Sequence, residues 1–137
     1  MYKVLVVSHG ELCKGFKSAV EMILGSEEDF DIVSLDNKGV EVFHENLENK
    51  IAELKSENDE LLILCDLFGG TPFNKSMIEA VSNEAIKIIA GVNLAMVIEA
   101  ITNKNRNVEE VVKELVDNSR NSILEGVICR DKNVSDE

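Results

Sequence analysis

Four short, continuous apolar runs, separated by longer stretches of helical period, constrain this chain more than any other feature. The runs are Val4–Val7, Ile32–Leu35, Leu61–Cys65 and Ile86–Ala90. Each is too short for a buried helix and lacks the in–out alternation of a strand with one wet face. Continuous apolar strands of this length fit a parallel sheet covered on both faces. The intervening segments carry helical stripes: Leu12, Phe16, Val20 and Ile23; Val40, Phe43, Leu47, Ile51 and Leu54; Phe73, Met77, Ile78 and Val81. Two more follow the fourth run: Met96, Val97, Ala100 and Ile101, then Val108, Val111, Val112, Leu115 and Val116. Gly25 stands where the first helix should stop. Strands alternating with helices predict an α/β fold, a doubly wound, mostly parallel sheet sandwiched by helices. The last apolar piece, Ile123–Cys129, reads as a short final strand.

The length of 137 residues fits one domain, and 45% hydrophobic residues suffice for its core. We place that domain at 1–129, with 130–137 as a polar, frayed tail. No apolar segment reaches transmembrane length, and Val4–Val7 is too short for a signal peptide, so a cytoplasmic location is expected. A net charge of −12 argues against nucleic acid and against an anionic membrane surface, both of which require Lys and Arg. The charge serves solubility. The three cysteines, Cys13, Cys65 and Cys129, form no CxxC pair, so neither disulfides nor zinc are expected.

Two strand ends carry the chemistry. His9 follows the first run and precedes Gly10; Asp66 directly follows the third. In open α/β sheets ligands bind at the carboxyl ends of the strands. His9 alone fits a capping role, a metal ligand, or a nucleophile or general base. The metal role is weak, because the other histidine, His44, lies mid-helix among Glu41, Glu45 and Glu48 and reads as a solvated surface residue. Asp66 either caps the next loop or fixes the tautomer of His9 and leaves its other nitrogen free to attack. Gly69-Gly70-Thr71-Pro72 is a glycine turn entering a helix, with free amides suited to an anion and the Thr71 hydroxyl as a further donor. By itself it is an ordinary loop; beside a histidine nucleophile it reads as a phosphoryl site. There is neither a GxxxxGK[ST] loop nor a GxGxxG after the first strand, so nucleotide and dinucleotide are not expected.

These residues resemble the EIIA component of the mannose family of the bacterial phosphoenolpyruvate–sugar phosphotransferase system. The resemblance rests on Val7-Ser8-His9-Gly10, on Asp66-Leu67-Phe68-Gly69-Gly70-Thr71-Pro72-Phe73-Asn74 and on Ala90-Gly91-Val92-Asn93-Leu94, and it spans residues 1–128. It implies a phosphocarrier in which His9 accepts a phosphoryl group from HPr on the ring nitrogen farther from the backbone. The group then passes to a histidine of EIIB, without cofactor or metal. Membrane components EIIC and EIID select the sugar. The resemblance further implies that Asp66 orients the ring and that Thr71 lies by the phosphoryl group. The surface that receives phosphoryl group and partners would comprise Ser8, Gly10, Leu67, Phe68, Gly69, Gly70, Pro72 and Phe73, with Phe73 equally suited to the core. Family members are commonly dimers whose last strand joins the partner's sheet, here Ile123–Cys129. One departure is Ala95, where the family usually has proline. A related branch feeds dihydroxyacetone kinase but usually lacks Gly-Gly-Thr-Pro; a regulatory module that only reports its phosphorylation state is a further alternative.

Overall fold

The computed structural model describes residues 1–26, 30–55 and 60–130. Four strands, β1 (Tyr2–His9), β2 (Asp31–Leu35), β3 (Glu60–Cys65) and β4 (Ile86–Ala90), form one parallel sheet in the order β2-β1-β3-β4. Five helices connect or follow them: α1 (Leu12–Leu24), α2 (Val40–Lys55), α3 (Thr71–Val81), α4 (Leu94–Thr102) and α5 (Val108–Asn121). Among the described residues no helix is long and apolar enough to cross a membrane.

Side chains of successive strand residues point to opposite faces, so each central strand feeds two cores. Val4 and Val6 of β1 and Leu62 and Leu64 of β3 pack with α1, α4 and α5. Leu5, Val7, Leu61, Ile63 and Cys65 pack with α2 and α3. Both faces are dry, which is why these runs do not alternate in polarity. The doubly wound sandwich expected from the sequence is the fold observed, with every paired strand parallel.

The strand order explains the site. From β1 the chain moves outward to β2, then returns across β1 to β3. Connections leaving the carboxyl ends of β1 and β3 therefore diverge, and the crevice between them is the topological switch point of the sheet. Val7 pairs with Cys65, so His9 and Asp66 leave adjacent strands side by side.

Four expectations need correction. On α1 the inward residues are Cys13 and Val20, with Phe16 partly buried, whereas Leu12 and Ile23 face solvent. On α3 the buried residues are Pro72 and Ser76, while Met77, Ile78 and Val81 are exposed. Both helices carry apolar residues on more than one face, so periodicity alone added exposed residues to the buried Val20 and the partly buried Phe16 and Phe73. Val40 of α2 is likewise exposed. Ile123–Cys129 makes no strand within the chain: it follows α5 as an irregular segment with Ile123, Leu124, Val127 and Ile128 exposed. A strand needs a neighbour's edge to satisfy its backbone, and among the described residues this segment pairs with neither edge strand of the sheet, β2 or β4. Residues 131–137 of the expected tail lie outside the described residues. Gly25 ends α1 as expected, in a left-handed conformation with its amide donating to the Glu21 carbonyl.

Candidate functional site

His9 is the last residue of β1, and its side chain is 46% exposed against a carboxylate that is almost covered. Asp66 Oδ2 accepts a hydrogen bond from the His9 backbone amide at 2.9 Å and lies 2.8 Å from His9 Nδ1. Its other oxygen, Oδ1, accepts from the Leu67 amide at 2.9 Å. Burial, the largest single influence, pushes the Asp66 carboxyl up. The hydrogen bonds from the His9 amide and ring, the charge of that ring, and the Leu67 amide together outweigh it and hold the carboxyl below its usual range. Asp66 is therefore an anion that can only accept. The proton of the contact must sit on Nδ1, which leaves the lone pair of a neutral ring on Nε2.

The α3 start closes the other side of the ring. Gly69 has φ +81°, a left-handed turn that favours glycine. Gly70 has an ordinary extended backbone, φ −75° and ψ 168°, so the need for glycine there is spatial. A Cβ on Gly70 would stand 3.2 Å from His9 Cε1 and 3.9 Å from Nε2. Thr71 and Pro72 then open the helix. The first-turn amides of a helix lack carbonyl partners, and the helix dipole is positive there. Asn74 braces the turn: its Nδ2 donates to the Gly69 carbonyl at 3.0 Å, and its amide donates to the Gly70 carbonyl at 2.8 Å.

An apolar rim flanks this pocket. Phe68 is 84% exposed and Leu67 is also exposed. The Phe68 ring leans on Phe73 with centroids 4.8 Å apart. Phe73 also packs against the α2–α3 core, so it anchors the rim and contributes to packing at once.

The remaining residues of the two motifs lie beneath the site. Ser8 is fully buried, and its Oγ accepts from the Cys13 amide at 2.9 Å, which starts α1; Pro72 is buried as well. Gly10 turns the chain with φ +56°. Cys65, just before Asp66, is buried, and burial pushes its thiol up to about 12 despite the contact with Ser76, so it is no rival nucleophile. The third motif is tied to the same strand end: the Gly91 and Val92 amides both donate to the Cys65 carbonyl at 3.0 Å. Ala95 sits in the first turn of α4, whose start is capped by Asn93 accepting from the Met96 amide.

Sequence reasoning missed two supports. Asn74 stands inside the central motif yet shows its role only once its bond to Gly69 is seen. Ser34 donates to the Gly10 carbonyl from β2, and no local pattern signals that.

His44 differs from its expected character as a solvated residue. Its Nε2 lies 2.7 Å from Glu48 Oε1, its Nδ1 is buried without a partner, and Glu79 of α3 approaches the pair. A metal on Nε2 would move the ring proton to Nδ1, where nothing accepts it, whereas histidine ligands normally donate that proton to a partner. The geometry is that of a hydrogen bond between His44 Nε2 and Glu48 Oε1 near the α2–α3 contact.

Residues 3–119 match the family described as "PTS system fructose IIA component", the mannose-type EIIA family. The chain belongs to this family. This EIIA chain is 32% identical over 116 residues to the sorbose-specific EIIA component of Lacticaseibacillus casei, covering 83% of each. It is 26% identical to the mannose-specific EIIAB component of Escherichia coli over 88% of its own length and 38% of that protein. Among solved structures, the mannose/sorbose-specific IIA subunit of Enterococcus faecalis superposes with a TM-score of 0.86 at 29% identity, over 95% of this chain and 98% of that one. The EIIA resemblance drawn from the motifs is thus the family found. The chain is a mannose-family EIIA component of the sugar phosphotransferase system, a phosphotransfer protein by kind.

Proposed function

We propose that His9 Nε2 is the atom that carries the phosphoryl group, taking it from phospho-HPr and passing it to a histidine of EIIB. The observation that carries this reading is the double hold of Asp66 Oδ2 on the His9 amide and Nδ1, at 2.9 and 2.8 Å. It orients the ring, fixes the tautomer and turns the lone pair of Nε2 toward the start of α3. In the transfer, that lone pair attacks phosphorus while the phosphorus–nitrogen bond of the donor histidine breaks and its electron pair returns to the donor ring. The ring of His9 then bears positive charge, which Asp66 offsets at close range. Free amides at the α3 start and the Thr71 hydroxyl receive the phosphoryl oxygens. One nitrogen–phosphorus bond replaces another of similar energy, so the step runs in either direction and catalysis is mainly positioning.

Leu67 and Phe68 form the apolar surface on which HPr and EIIB dock in turn, in the cytoplasm. The same acidic protein serves both, so the two partners compete. The chain works as a homodimer: among the described residues β4 pairs only with β3, and the apolar residues Ile123, Leu124, Val127 and Ile128 supply a segment to pair with a partner's open edge. Light scattering of the full chain and of a chain ending at Ser122 tests the dimer; equal masses would refute it.

The test of the transfer is mass spectrometry after incubation with phosphoenolpyruvate, enzyme I and HPr. The expected result is an acid-labile gain of one phosphoryl group on the peptide containing His9, lost on adding EIIB. A folded protein left unmodified by active upstream enzymes would refute the proposal.

A further inference from the structure

We infer that Ser34, on β2, is a positioning residue for His9; the inference rests on the reading of His9 as the phosphoryl carrier. Asp66 grips His9 from the β3 side only. Immediately beyond His9 the chain reverses at Gly10, whose φ of +56° places it in the left-handed region. Two contacts hold that turn from the opposite side, and both come from β2. The Gly10 amide donates to the Leu35 carbonyl at 2.7 Å. The Ser34 hydroxyl donates to the Gly10 carbonyl.

The β1–β2 ladder ends at the His9–Leu35 pair. The Gly10 carbonyl therefore lies past the last ladder position, and the donor it meets is a side chain. Ser34 pairs with Ser8 in register, one step behind the nucleophile, so its hydroxyl reaches forward over the strand end. Ser8 Oγ accepts from the Cys13 amide at 2.9 Å and donates to the His9 carbonyl at 3.3 Å, so it is occupied there. The turn that carries the nucleophile is thus clamped from both neighbouring strands. Losing the Ser34 hydroxyl leaves Gly10 with one remaining tie to β2, the bond from its amide to the Leu35 carbonyl, and the His9 ring then pivots about its Asp66 contact. Transfer by positioning is sensitive to such a pivot: a displacement of about 1 Å can cost on the order of 10²-fold in rate.

The experiment uses the full chain with Ser34→Ala, Ser34→Cys and Ser34→Thr. Single-turnover and steady-state transfer from phospho-HPr is measured, together with the imidazole nitrogen resonances. The chain has only two histidines, so His44 serves as an internal reference. Ser34→Ala should lower kcat by about 3- to 10-fold, a fraction of the loss that full misplacement brings, with KM for phospho-HPr unchanged. It should also shift or broaden the His9 ring signals and leave those of His44 in place. Ser34→Thr, which keeps a hydroxyl, should restore both. Should Ser34→Ala not fold, Ser34→Cys, close in size but a weak donor, is read in the same way. Unaltered kcat and unaltered His9 resonances, even with a lowered Tm, would overturn the inference and leave Ser34 merely structural. Failure of Ser34→Thr to restore either readout would overturn the role of the hydroxyl. If the unsubstituted protein takes up no phosphoryl group, it is the carrier reading that fails, and the ring resonances alone then decide whether Ser34 positions His9.

Discussion

Gly70→Ala separates geometry at the nucleophile from stability of the fold. The added Cβ would lie 3.2 Å from His9 Cε1, inside the ~3.5–4.0 Å optimum for two carbons. The His9 ring must then retreat by a few tenths of an ångström. It is tethered at 2.8 Å to Asp66, so retreat stretches or bends that bond. The same methyl would stand 3.9 Å from Nε2, where the incoming phosphoryl oxygens need room. We expect phosphoryl transfer to slow by about 10- to 10²-fold. Stability should change little. The backbone at φ −75° and ψ 168° suits alanine, which favours folding by about 0.4–1 kcal/mol through the unfolded state. Alanine is the poorer N-cap, by an amount of the same order, about 0.5–1 kcal/mol. The two offset each other, and Tm should stay within about 3 °C. Gly69→Ala is the control. Its φ of +81° makes alanine strained, but nothing lies within 4 Å of the added carbon. That variant should lose about 1–2 kcal/mol of stability with a smaller effect on the transfer rate. Rapid-quench transfer from phospho-HPr and thermal melts followed by circular dichroism measure both quantities. A Gly70→Ala protein that transfers at the unaltered rate would show that the start of α3 does not confine the ring.

His9→Ala should fold with a cooperative melt and take up no phosphoryl group; retained acid-labile phosphate would move the site elsewhere. Asp66→Asn should melt normally at neutral pH and slow transfer by on the order of 10²-fold, because the amide loses the charge that stabilises the phosphorylated ring. Equal single-turnover rates would remove Asp66 from the mechanism. Because the folded state lowers the Asp66 carboxyl, its contribution to stability is full above its ordinary value near ~4 and is lost as pH falls through the lower, folded value. Melts between pH 5 and about pH 2 should therefore show a smaller acid dependence in Asp66→Asn than in the unsubstituted chain. Phe68→Ala should leave Tm unchanged, since the ring is 84% exposed, yet raise KM for phospho-HPr by about tenfold. An unchanged KM would place partner docking away from this rim.

Much of the site was legible because its parts sit at strand ends. Four apolar runs located β1 to β4 within two residues, and the residue after a strand is where open sheets place their chemistry. His9 and Asp66 could be paired in advance because each stands at the carboxyl end of a predicted strand. Ser34 could not, because its partner is a backbone carbonyl on another strand and serine at a strand position is unremarkable. Gly69 and Gly70 read in the sequence as a turn that lets the backbone approach a ligand; only the structure shows that the missing Cβ of Gly70 makes room for the His9 ring.

The amino-acid sequence alone determined the alternation of strand and helix, the dryness of both sheet faces and the position of His9 at a strand end, since these follow from local periodicity and chain order. It overstated the buried stripes of α1 and α3, because periodicity counts apolar residues and not the area available to cover them. Tertiary structure decided which stripe turned inward. It left Ile123–Cys129 unpaired with either edge of its own sheet, and it brought one carboxylate oxygen onto both the amide and the ring of His9. Those outcomes depend on strand order and register, which set distances between residues far apart in the chain.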